Sequence, residues 1–482
     1  MAGIGFELRK IHNREGLLSK QKAYSYAGII YGGPVILGIA LNAAVVFLSF
    51  TGKMDNSQRD GLMVLLSYAI LASLAVSNLF SFIVTRYISD MLYEHKTERI
   101  LPSFYASSAC ALFLGEILYG TFLIVSGISP LQMILSLLLF GELTLIWNAM
   151  NYLTVIKDYR SIITGFLAAV VTTLLLGFFS LSLAFSDGLL CSVVLAYGLM
   201  LLWLVWLLNR YFPANHRPSF EFLKWFDSFF DLCKVGIYLF IGLFAHIVVI
   251  WFSPLGREMA GIFRSAPAYD IPAMFAFLTT LVSTVNFVIS VEVFFYPKFK
   301  TYYRLYNEGG NLLEIEESEV EMLEVLNNEL KYLGWKQLLA TILVMFAGTT
   351  LLDYLPLGFN GQMRGYFQTL CLAYGLYAVG NAYLMALLYF ADYKGAKKCA
   401  GLFAVASLFL TIASQFFDKY FYGFGFLAAS ALLFIFASAR LNTFTEDLPY
   451  HVLGRQPLNH AEKSGFFTHL ANWLGNEEKN FD

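Results

Sequence analysis

From residue 26 to residue 439 one pattern recurs: about twenty mostly apolar residues, then a short polar or charged break. A hydrocarbon core of roughly 30 Å is crossed by about 20 helical residues rising about 1.5 Å each. In that medium every main-chain polar group must find its partner within the protein, so apolar runs of this length predict spanning helices. Twelve such runs are present. Six cover residues 26–50, 62–85, 104–125, 131–155, 162–185 and 189–208; six more cover 232–252, 271–296, 338–355, 366–390, 399–417 and 421–439.

Composition agrees. Only 14% of the 482 residues are charged and 58% are hydrophobic, where a soluble domain carries roughly a quarter charged. A net charge of -2 speaks against an electrostatic nucleic-acid binder, which concentrates Lys and Arg against phosphates. The five cysteines lie in or beside apolar runs with no paired spacing, and read as packing residues. Charged residues (Glu7, Arg9, Lys10, Arg14) precede the first run, and no small-residue cleavage signal follows it. That run is therefore expected to be a retained span.

Orientation follows from the basic residues, because cytoplasmic loops retain positive charge. With the N-terminus inside, 26 of the 32 Lys and Arg fall on the cytoplasmic side and 6 outside. The expected fold is all-α: a polytopic protein of the cytoplasmic (inner) membrane with about 12 transmembrane helices in two six-helix lobes and both termini in the cytoplasm. The expected organisation is a cytoplasmic N-terminal segment (1–25), an N-terminal lobe (26–212), an amphipathic inter-lobe linker (213–231), a C-terminal lobe (232–441) and a cytoplasmic tail (442–482). Within the second lobe, loop 297–336 carries Met322, Leu326 and Leu330 at helical spacing beside Glu321, Glu324 and Glu329. This predicts an amphipathic surface helix.

Two halves with the same orientation are the arrangement of parallel repeats, and a cavity between the lobes is the expected substrate site. Spans 2 and 8 support the repeat: Val76-Ser77 precedes Asn78, Phe82 and Arg86, and Val282-Ser283 precedes Asn286, Phe287 and Glu292. Arg86 and Glu292 are inner-gate candidates, since opposite charges at matching depth would attract; the alternative is separate snorkelling to the headgroups. Asn78 and Asn286 are cavity candidates. Glu116 and Glu142 sit at matching depth, where an unpaired carboxylate is costly. Two close carboxylates can share a proton, so both are candidates for coupling or for a cationic substrate, against a reading as neutral packing groups. His246 is a weaker cavity candidate. Pro34, after Gly32-Gly33, is the one proline well inside a span, and a hinge or a passive kink is expected there. Tyrosines inside spans, among them Tyr119, Tyr374, Tyr377 and Tyr383, offer faces that stack on sugar rings, although most must serve ordinary packing.

The sequence has no phosphate-binding glycine loop, no metal-ligand cluster and no nucleophile elbow. No cofactor, metal or catalytic residue is expected, and the chain reads as a transporter rather than an enzyme.

Three blocks carry a family resemblance: MAGIGFELRK (1–10), TRYISDMLYE (85–94) and VEVFFYPKFKTYYRLYNEGGNL (291–312). With these the chain resembles the PelG family, membrane exporters of the Pel exopolysaccharide apparatus. The resemblance implies the fold of the multidrug, oligosaccharidyl-lipid and polysaccharide exporter superfamily. It also implies an amino-sugar polymer as substrate, a cytosolic PelF-like glycosyltransferase, and PelD-like and PelE-like membrane components as partners, one of them a cyclic-di-GMP receptor. The acidic helix around Glu314 to Tyr332 is then a candidate contact. Two rival expectations stand beside export through an inter-lobe cavity. One is an ion-coupled antiporter of small molecules, or a flippase of lipid-linked oligosaccharides, on the same fold. The other is a membrane-embedded glycosyltransferase, which would need catalytic loops or a sugar-nucleotide domain that the sequence does not offer.

Overall fold

The computed structural model describes residues 17–156, 159–182, 187–213, 217–354, 358–453 and 464–479. The block at 1–10 lies outside them, as do Phe185 and Leu355 at two expected span ends. All twelve apolar runs lie on helices. The first six are α1 (Leu17–Thr51), α2 (Asn56–Tyr93), α3 (Ile100–Val125), α4 (Pro130–Ile156), α5 (Tyr159–Ser182) and α6 (Gly188–Tyr211). Helix α7 (Lys224–Trp251) is followed by a hairpin of β1 (Arg257–Ala260) and β2 (Phe263–Ser265). Then come α8 (Pro267–Phe277), α9 (Thr280–Ile289), α10 (Tyr296–Glu308), α11 (Leu312–Tyr354), α12 (Gly361–Tyr389), α13 (Tyr393–Ser414) and α14 (Phe424–Glu446). Two short helices, α15 (Leu448–Leu453) and α16 (Phe466–Lys479), close the chain. Eleven helical stretches among the described residues are long and apolar enough to cross a membrane, and the apolar part of α1, Ile36–Thr51, is a shorter one.

The chain divides into two compact units. One takes in Gly33–Phe240, Gly256–Ser265 and α16; the other takes in α1 up to Gly32, Ile241–Leu255 and Ala266 through α15. The divisions fall inside α1, between Gly32 and Gly33, and inside α7, between Phe240 and Ile241.

In the first unit α2 packs on α4, α4 on α3 and α6, and α5 on α6. Without a hydrophobic drive between helices in lipid, close approach depends on small residues. At Gly236 of α7 an added Cβ would sit 2.3 Å from the main-chain oxygen of Asn78, so only glycine allows that contact with α2. The β-hairpin belongs to this unit: Tyr68 Oη donates to the Arg264 carbonyl at 3.1 Å, and Phe263 meets the Tyr68 ring edge-on at 4.8 Å. Nine residues in a loop were too few to announce themselves as strands, and they add a small sheet to an otherwise helical fold. The linker residues run as a 3-10 turn, Phe220–Leu223, into α7, which breaks at Phe229 (φ -127°, ψ 34°). Asp227 accepts main-chain bonds from Gly465, Phe467 and Thr468, capping the start of α16 from a distant part of the chain.

In the second unit α12 is the most buried span and packs on α8, α11 and α14, while α13 packs on α14. Two expectations are corrected here. The amphipathic loop helix and the ninth span are one helix, α11, of 43 residues, about 65 Å long. Met322, Leu326 and Leu330 are its buried stripe, as their spacing predicts, but nothing breaks the helix before the apolar half. Conversely, the run at 271–296 is not one helix. Pro272 withholds a main-chain donor inside α8, the chain tightens through three-residue bonds at Leu278 and Thr279, and α9 passes into a π-helical turn, Ser290–Phe295. Gly309 (φ 87°) ends α10 in the left-handed conformation, with Gly310 N bonded to the Leu305 carbonyl at 2.7 Å.

Candidate functional site

The broken span carries a polar ladder. Thr279, Ser283, Asn286 and Ser290 recur at three- and four-residue intervals, which places them on one side of a helix, and each rung meets α11. Gln337 Nε2 donates to the Thr279 carbonyl and to Thr341 Oγ1, both at 3.1 Å, while its Oε1 accepts from Ser283 Oγ at 2.7 Å. Lys336 Nζ donates to Asn286 Oδ1 at 2.8 Å, and Ser290 Oγ donates to Glu329. Gln337 is buried, so its own bonds form where water cannot replace them. Irregular backbone and a π turn are tolerated at such depth only where protein side chains answer the polar groups, and π turns recur at functional sites.

On the far side of Gln337 lies a cavity of about 450 Å³, lined by α11 (Leu330 to Thr341), α12 (Leu372 to Tyr383) and α14 (Leu427 and Phe434). Its wall is almost wholly apolar, with Lys331, Gln337, Thr341 and Tyr383 as the polar exceptions.

A second cluster surrounds His246 on α7, which is fully buried. Its Nδ1 lies 2.8 Å from Tyr269 Oη and its Nε2 lies 3.3 Å from Tyr374 Oη, so the imidazole links two phenols. The ring stacks on Phe426 at 3.9 Å. Nearby, Trp251 Nε1 donates to both carboxylate oxygens of Asp270 at 3.0 Å. A third cluster runs through the first unit: Asn148 Nδ2 donates to Ser107 and Ser108 at 2.9 Å, and Tyr152 Oη lies 3.1 Å from Ser103 and Ser107. Tyr119 Oη lies 2.9 Å from Ser136 Oγ.

The residues singled out from the sequence fall as follows. Asn78 and Asn286 do the same thing in their two helices, each donating to the carbonyl four residues back, Leu74 at 2.8 Å and Val282 at 2.7 Å. Arg86 is paired within its own helix with Asp90 at 3.0 Å, and Asp90 also accepts from Trp225 Nε1 at 2.8 Å. Glu292 lies buried in the π turn. Glu116 and Glu142 are not brought to one seam: Glu116 leans on α4 at Gly141 and Glu142 leans on α6 at Gly198. Neighbouring helical positions point about 100° apart, which separates the two directions. Glu142 Oε2 is buried without a hydrogen-bond partner among the described residues. Pro34 falls inside α1, which continues as helix through it. Sequence reading passed over Gln337, Thr341, Tyr269, Asp270 and Asn148. For Gln337 and Thr341 a signal existed, an amide and a hydroxyl four residues apart at the start of an apolar run.

The sequence matches the family described as "PelG: Putative exopolysaccharide Exporter (EPS-E)" over residues 1–453. The chain belongs to the PelG family. No curated protein sequence matches it. Among solved structures, this PelG-family chain is similar to an outward-facing multidrug resistance MATE transporter of the MOP superfamily (TM-score 0.56, 14% identity, 87% of this chain and 96% of the other). It is also similar to the eukaryotic MATE transporter AtDTX14 (TM-score 0.57, 11% identity, 96% and 100%). A third is a MOP superfamily transporter from Pyrococcus furiosus (TM-score 0.55, 13% identity, 88% and 97%). At such identities the likeness is one of fold. The PelG-family chain is thus a multi-pass membrane protein with a MOP-superfamily transporter fold of two six-helix lobes.

Proposed function

We propose that the chain exports an amino-sugar exopolysaccharide of the Pel type across the cytoplasmic membrane, with both termini in the cytoplasm and a cytosolic PelF-like glycosyltransferase feeding it. The observation that carries this reading is the family match, which takes in 453 of 482 residues. The chemistry of the interior supports it. A hydroxylated polymer needs amide, hydroxyl and phenol groups that exchange hydrogen bonds, and the Gln337 ladder, the Asn148 cluster and the His246–Tyr269–Tyr374 group are built from these types. PelD-like and PelE-like membrane components complete the proposed assembly, and the acidic first half of α11 with α10 is its proposed docking element. Deleting the chain from a producing cell tests this: secreted polymer should disappear while the glycosyltransferase keeps its activity in extracts. Undiminished secretion would remove the reading.

A second reading, an ion-coupled antiporter or flippase, is favoured by one observation, the buried Glu142 oxygen that has no hydrogen-bond partner among the described residues. Substrate-stimulated proton or sodium flux in vesicles containing the purified chain alone would favour it over polymer export.

A further inference from the structure

The cavity behind Gln337 shares Gln337 and Thr341 with the polar ladder, and the rest of its wall is almost wholly apolar. Along α11 its residues follow helical spacing: Lys331, Gly334, Leu338 and Thr341 face it, with Val379 and Phe434 opposite. Gly334 opens the floor, since an added Cβ there would meet nothing within 4 Å. The outer side faces hydrocarbon. The apolar window of α11 is the least buried of the eleven spans, and Trp335, Leu339, Leu343 and Phe346 stand exposed along it. In a spanning helix such side chains contact lipid tails. The polar end of the groove is Lys331, one turn before the apolar half begins. It makes no ion pair among the described residues, unlike Lys298, which binds Glu321. A cation at the mouth of an apolar slot that opens to the bilayer complements an anionic head with a hydrocarbon tail.

We propose that this groove holds one acyl chain of an anionic phospholipid, with the headgroup phosphate seated on Lys331. The site lies wholly within the second unit. A chain wedged between α11 and α14 on one side and α12 on the other would fix the tilt of α11, and with it the ladder that shares Gln337 and Thr341 with this wall.

The test uses the full-length chain, purified in detergent, exchanged into vesicles of dioleoylphosphatidylglycerol or dioleoylphosphatidylcholine, then re-extracted, with retained lipid counted by native mass spectrometry. The chain should keep about one phosphatidylglycerol through delipidation, with about a tenfold preference over phosphatidylcholine, the effect of one charge-assisted contact. Lys331→Gln should bring the preference close to one, and Lys331→Arg should retain it. Gly334→Leu should abolish retention of both lipids. Should that variant fail to fold, Val379→Trp fills the same space from α12. Equal retention of the two lipids by the unaltered chain, or retention unchanged in the groove-filling variants, would mean annular lipid only and would overturn the proposal.

Discussion

Gln337 reaches across from α11 and donates to the main-chain oxygen of Thr279 at 3.1 Å, at the point where the eighth span breaks. The same side chain holds Ser283 and Thr341. A break in a spanning helix is thereby tied to an unbroken neighbour by one amide. Gln337→Ala should therefore destabilise the chain by about 1–2 kcal/mol, the cost of leaving buried groups unanswered. Ser283→Ala should cost less, because the amide keeps its other two bonds. Unfolding in detergent checks the order, and equal effects would show that the amide is not the hub.

His246 offers a sharper test, because its two phenol partners can be removed together. His246→Phe keeps an aromatic ring against Phe426 and strands both hydroxyls, and should cost about 1–3 kcal/mol. Adding Tyr269→Phe and Tyr374→Phe should recover most of that loss, since removing every partner of a buried bond is nearly neutral. Thermal unfolding of the single and triple variants decides it; a triple variant weaker than the single would mean the phenols act elsewhere.

Asp90 is a shared acceptor for Arg86 and Trp225. Removing it strands two donors, whereas removing Arg86 strands none. Asp90→Ala should thus lower stability by about 1 kcal/mol and Arg86→Met by less, as half-exposed pairs contribute little. The ranking of the two unfolding temperatures is the measurement.

Asp227 caps α16 through three main-chain donors and the Thr468 hydroxyl. Asp227→Ala should raise hydrogen exchange across 466–479 by about fivefold, corresponding to roughly 1 kcal/mol for a lost cap. Exchange elsewhere should stay the same. Asp227→Asn, which keeps one acceptor oxygen, should fall between the two.

Because Glu116 and Glu142 lean on different helices, they are poorly arranged to share a proton. Under the export reading, Glu116→Gln and Glu142→Gln should leave secreted polymer within about twofold of normal. Loss beyond about tenfold on neutralising either one, a barrier change of about 1.4 kcal/mol, would instead support ion coupling.

Much of this fold can be read from run length, since a helix in hydrocarbon has to be long and apolar, and the Met322, Leu326, Leu330 stripe pointed to the buried face of α11. What escaped reading depends on distant partners. Residues 271–296 are as apolar as any span, and what accompanies the break is an amide 58 positions beyond Thr279. A Val-Ser pair shortly before Asn78 and Asn286, one and three residues after the serine respectively, was visible in both helices. The pairing of His246 with Tyr269 and Tyr374 was not, because a lone histidine in an apolar run carries no mark of what it will face.

An uninterrupted α11 also behaves as a lever. Moving as one rod about 65 Å long, it would carry its far tip about 6 Å for a rotation of only about 5° about the Glu-rich end. Any protein that grips the first turns of this rod would be felt, with mechanical gain, at the bonds beside Thr279.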